Sequence, residues 1–92
     1  MYIIKLVDPT MSWGYCEKGN ITCSGKRGWF YEDSVFSTEE EANQYIKTLL
    51  SSGWYRDDIT ERNFSIVEVK QHGGHGKAWY TDEYFKEIQD KY

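Results

Sequence analysis

Ser37-Thr38-Glu39-Glu40-Glu41-Ala42-Asn43-Gln44-Tyr45-Ile46-Lys47-Thr48-Leu49-Leu50 is the stretch on which the fold turns. Ser37 with Glu40 fits a capping box, in which a hydroxyl caps the first turn and a carboxylate reaches back to it. Ala42, Tyr45, Ile46, Leu49 and Leu50 then recur at the spacing of one helix face, leaving Glu41 on the outer face. Gly53 stands where a left-handed residue closes a helix. The pattern predicts one long helix over 38–51, with a single apolar stripe that must lie against something.

The flanking segments supply that partner. Residues 2–8 alternate Tyr2, Ile4 and Leu6 with Ile3 and Val7, so both faces are apolar and the strand is expected in the centre of a sheet. Residues 63–70 set Phe64 and Ile66 against Val67 and Val69 in the same way. Residues 13–17 and 21–24 flank Lys18-Gly19-Asn20 and read as a hairpin, and residues 29–32 as a further short strand. Residues 54–62 read as a loop with room for a helical turn. His72-Gly73-Gly74-His75-Gly76-Lys77 is a Gly-rich connection, and Thr81 caps a final helix over 82–91. The expected fold is α+β: a mostly antiparallel sheet of about four strands in β-β-β-α-β-α order, one long helix across it and a short C-terminal helix. Residues 1–92 are expected to form one domain.

Charge narrows the function classes. Eleven Lys and Arg against fifteen Asp and Glu give a net charge of −4, and the basic residues are scattered. Nucleic-acid binders carry a basic footprint, so direct binding to DNA or RNA is not expected, nor is docking onto an anionic membrane. No apolar run approaches the length of a transmembrane helix or a signal-peptide core. The acids cluster as Glu32-Asp33, Glu39-Glu40-Glu41, Asp57-Asp58 with Glu61, and Asp82-Glu83. Such clusters complement helix N-termini, and they also suit a basic partner.

Catalytic and metal chemistry find little support in the spacing. Cys16, Cys23, His72 and His75 supply zinc-ligand residue types, but structural sites favour cysteines two to four residues apart. The same four residues could serve a small metal- or thiol-dependent enzyme, which is the rival reading, yet nothing places a base beside a nucleophile. Two cysteines without a leader point to reduced thiols in a cytoplasm, although a hairpin could also bring the pair together. No cofactor is expected.

The aromatic share, 17% of the chain, is the unusual number. Ile, Leu and Val already suffice for a core of this size, so several aromatics should remain at the surface. Trp54, Tyr55, Arg56, Asp57, Asp58 and Glu61 form the leading protein-binding candidate, because Trp, Tyr and Arg dominate interface hot spots. Trp13, Tyr15, Trp79 and Tyr80 are further candidates. Self-association through such residues, as a homodimer or larger structural assembly, is a third reading.

The opening strand Met1-Tyr2-Ile3-Ile4-Lys5-Leu6, the segment from Phe36 to Ile46 and the strand from Phe64 to Val69 together resemble small α+β proteins of phages and other mobile elements, anti-CRISPR proteins among them. The resemblance implies a short, acidic, non-enzymatic inhibitor working in the cytoplasm of a bacterial host cell. It would occlude a basic functional site on a host protein, for example a CRISPR effector's nucleic-acid groove. It transfers no functional residues, and inhibitors that imitate DNA are usually more acidic than −4 in 92 residues.

Overall fold

The computed structural model describes residues 1–9, 13–23, 28–71 and 78–91, with side chains as far as residue 87. Five strands and two helices follow in the order β1 (Tyr2–Val7), β2 (Trp13–Cys16), β3 (Trp29–Phe30), α1 (Glu39–Ser51), β4 (Phe64–Gln71), β5 (Trp79–Thr81) and α2 (Asp82–Lys91). The strands form one antiparallel sheet in the order β2-β1-β4-β5-β3. The α+β class and the long helix match the expectation.

The two-sided strands sit where their composition requires. β1 is flanked by β2 and β4, with Ile4 opposite both Cys16 and Ile66, and Ile3 opposite Val67. Side chains alternate across a strand, so these registers sort the apolar residues onto two faces. On one face Ile4, Leu6, Cys16 and Phe64 meet Ala42, Ile46 and Leu49 of α1, closed by Phe36 and Ile59. On the other, Ile3, Tyr15, Phe30, Val35 and Val69 form a second cluster, backed by Trp13, Val67 and Trp79.

That second cluster reveals the curl of the sheet. In a flat sheet four spacings of about 4.8 Å would hold the edge strands roughly 19 Å apart. Yet Tyr15 of β2 and Phe30 of β3, on opposite edges, bring their ring centroids to 5.3 Å in an edge-to-face contact. The sheet therefore bends into a half-barrel around the second cluster while α1 covers the opposite face.

Several local expectations need correcting. The fifth strand, β5, is not among the expected elements, because Trp79-Tyr80-Thr81 is too short to show a period. β3 is two residues long, shorter than the expected 29–32, and pairs with β5. The expected hairpin of 13–17 with 21–24 does not form: β2 pairs with β1, and residues 21–23 are not a strand. The turn between them does form, with the Asn20 amide donating to the Glu17 carbonyl. α1 is capped one residue later than expected. Thr38 accepts from the Glu41 amide, and the Glu41 carboxylate takes the Ser37 hydroxyl at 2.8 Å. Glu41 is also paired with Lys18, so it ties the 17–23 turn to the helix instead of facing open water. Gly53 has φ 75° and ends α1 as the sequence indicates. The cap of α2 is likewise as read, with Thr81 accepting from the Tyr84 amide.

Candidate protein-binding site

Residues 52–61 leave α1 and return to β4 along a path pinned at each step. The Trp54 amide donates to the Ser52 hydroxyl at 3.2 Å. The Tyr55 ring packs edge-to-face on Phe64, and its hydroxyl donates to the Ile21 carbonyl at 2.6 Å and lies 2.9 Å from Cys23 Sγ. Burial raises the Tyr55 pKa above that of a free tyrosine. Arg56 spans from Asp58, at 3.0 Å, to Asp8 beyond the end of β1, at 2.8 Å. These two carboxylates hold the guanidinium charged and raise its pKa, Asp58 contributing more. Ile59 is buried in the core beneath, and Thr60 with Asn63 forms a capping box around a short 3-10 turn, Glu61–Asn63.

The structure thus divides the six candidates by role. Tyr55, Arg56 and Asp58 hold the loop: their polar groups are engaged inside the molecule. Trp54 is 61% exposed, the most exposed of the large hydrophobic side chains among the described residues. Asp57 and Glu61 are exposed and, with Leu50, Tyr55 and Ile59, line a hollow of about 400 Å³ that Trp54 itself does not line. The sequence could not separate the two roles, because the anchors of this loop, Asp8, Ile21 and Cys23, lie over thirty positions away. The other aromatic candidates are less open: Tyr15 and Tyr80 are buried, and Trp13 and Trp79 are half-buried.

The cysteines are also corrected. Cys16 and Cys23 are joined in a disulfide, not held as isolated thiols. Neither offers a thiolate to a substrate or a metal. The reduced-thiol premise for a cytoplasmic location is removed with them, since persistent disulfides belong to oxidising compartments. His72 and His75 lie outside the described residues. Among the described residues no group of three or more His, Cys, Asp or Glu is placed to hold a metal ion, and no helix is long and apolar enough to cross a membrane.

No protein-family model, curated protein or solved structure matches the chain. The site must be judged on its geometry. That geometry offers a rigid loop, one exposed indole, a shallow hollow and two outward carboxylates.

Proposed function

We propose that the chain is a non-enzymatic protein-binding module that covers a basic functional site on a larger protein. Trp54 is its anchor, and Asp57 and Glu61 steer the partner. The carrying observation is the contrast within one loop: Trp54 stands open while Tyr55 and Arg56 beside it are fixed to distant parts of the chain. A large aromatic on a loop already ordered loses little freedom on binding, which is what an interface hot spot requires. A phage-encoded inhibitor of the anti-CRISPR kind would use such a surface to displace nucleic acid from a Lys- and Arg-lined groove. If it works in a cytoplasm, the fold must tolerate reduction of the Cys16–Cys23 bond.

Tagged protein is used to capture its partner from bacterial lysate, and the complex is then measured with variants. Trp54→Ala should speed dissociation and weaken binding by at least about 2 kcal/mol, the threshold of a hot spot. Asp57→Lys with Glu61→Lys should slow association and flatten its salt dependence. Asp58 is left intact, because it holds Arg56. Unchanged binding by both variants, each folded normally, overturns the proposal. A captured partner that is a second copy of the chain would favour the homo-oligomeric reading.

A further inference from the structure

A second concave site lies on the opposite face of the sheet, where the curl brings β2 against the start of α2. Its walls are Trp13 and Tyr15 from β2, Gly28 and Thr81 at the base, and Glu83, Tyr84 and Glu87 from α2. Glu83 and Glu87 are four residues apart on a helix and so project from one side of it. The Tyr15 pKa is raised, first by burial and then by the charges of Glu83 and Glu87, while the Thr81 side chain beside it acts the other way. Among the described residues neither glutamate has an ion pair.

The rings that complete the cleft are held by their neighbours. Trp13 meets Tyr15 edge-to-face at 5.3 Å, and Tyr84 is stacked on Tyr80 with an interplanar angle of 6°. Tyr15 is only 4% exposed and Thr81 2%. Ring faces attract cations, and the two exposed carboxylates add negative charge to the same space. Trp13 already serves one cation in this way: the Lys5 ammonium lies 4.6 Å from its ring centroid. The volume, about 120 Å³, is below the range of small-molecule pockets, roughly 300–1,000 Å³, and suits a single side chain.

We infer that this cleft binds an arginine side chain of a partner protein, the guanidinium lying against the aromatic walls and bridging Glu83 and Glu87. Arginine is favoured over lysine because a planar, weakly hydrated fork can stack on a ring and address two carboxylates together. The inference does not depend on the Trp54 loop, which lies on the α1 side of the sheet.

The test is a nuclear magnetic resonance titration of the whole chain with the peptide acetyl-Gly-Arg-Gly-amide. Saturable millimolar binding is expected, with amide shifts centred on Trp13, Thr81 and Tyr84. The same peptide with citrulline, which keeps the shape and removes the charge, should bind at least about tenfold more weakly. Glu83→Gln with Glu87→Gln should lose affinity to a similar degree. Glu39→Gln with Glu40→Gln, which removes equal charge from the exposed start of α1, should leave the affinity within about twofold. Equal binding of the citrulline peptide, equal losses in the two double variants, or shifts confined to the 54–61 loop would each overturn the assignment. So would a lysine peptide that binds more tightly than the arginine one.

Discussion

The hydroxyl of Tyr55 meets the carbonyl of Ile21 at 2.6 Å across 34 positions of sequence, and in doing so joins the loop after α1 to the disulfide-closed turn before β3. Tyr45 makes a parallel link from within α1, its hydroxyl donating to the Asn20 carbonyl at 3.0 Å. The two phenols hold the 17–23 turn against α1 and the loop that follows it. Tyr55→Phe keeps the ring contact with Phe64 and removes only the hydroxyl, so stability should fall by about 0.5–1.5 kcal/mol. Urea unfolding of the variant measures this, and hydrogen exchange should quicken at residues 20–23 and 54–56 together. A change confined to one of the two segments would mean that they are not coupled.

The disulfide closes the same turn covalently, with a separation of 7 between Cys16 and Cys23. By the chain-entropy relation a loop of that size is worth roughly 2–3 kcal/mol. A domain of this length has about 5–14 kcal/mol of total stability, so the reduced protein should stay folded but less stable. Thermal melts with and without dithiothreitol, beside Cys16→Ala with Cys23→Ala, should agree. A reduced protein that unfolds at ambient temperature would exclude a cytoplasmic role.

Much of the fold was legible because its deciding segments carry strong periods. The apolar stripe of α1 and the two-faced strands β1 and β4 could hardly be buried in any other way. What escaped reading was set by tertiary contact. Trp79-Tyr80-Thr81 becomes a strand because it is paired on both sides, with Val69, Lys70 and Gln71 of β4 and with Trp29 and Phe30 of β3. Cys23 is drawn to Cys16 by the turn at 17–20 and by the two tyrosines, not by strand pairing. In the candidate site the residue types were visible in 54–61, but their division into supports and contacts depends on Asp8 and Ile21. The aromatic cleft was half visible, since Trp13 and Tyr15 stood out while nothing in the sequence placed Glu83 and Glu87 opposite them.

Glu41 predicts a pH dependence. Its pKa lies below the ordinary value of 4.5, owing first to its pairing with Lys18 and next to the Ser37 hydroxyl. A carboxyl whose pKa is depressed on folding contributes stability above its unfolded pKa and loses it as pH falls through the lower folded value. The melting temperatures of the wild type and Glu41→Gln should therefore differ at neutral pH, draw together as pH falls below the ordinary value of 4.5, and meet once it has passed the lower folded value. Parallel curves down to pH 2 would show that the ion pair contributes nothing, as exposed pairs often do.

Gly28 offers a structural test of the cleft that leaves its charges unaltered. Its carbonyl accepts from the Thr81 amide at 3.0 Å, placing the start of α2 against the chain before β3. A Cβ at Gly28 would fall 2.2 Å from Tyr84 Cβ and 2.5 Å from its Cγ. Those atoms are the root of the side chain, so rotation of the ring cannot relieve the clash, and α2 itself must move. Gly28→Ala should cost roughly 1–3 kcal/mol, the usual range for overpacking. The displacement carries Tyr84, Glu83 and Glu87 away from Trp13 and Tyr15. Stacking on Tyr80 should weaken with it, visible as a change in near-ultraviolet circular dichroism. Affinity for the arginine peptide should fall, while resonances of the Trp54 loop stay in place, since the sheet stands between the two. Gly19→Ala provides the comparison: φ is 86° but nothing lies within 4 Å of the added atom. There the strain should lower stability by about 1 kcal/mol and leave the cleft untouched. If the two alanine variants perturb the same resonances, α2 is not held by the close approach of Gly28.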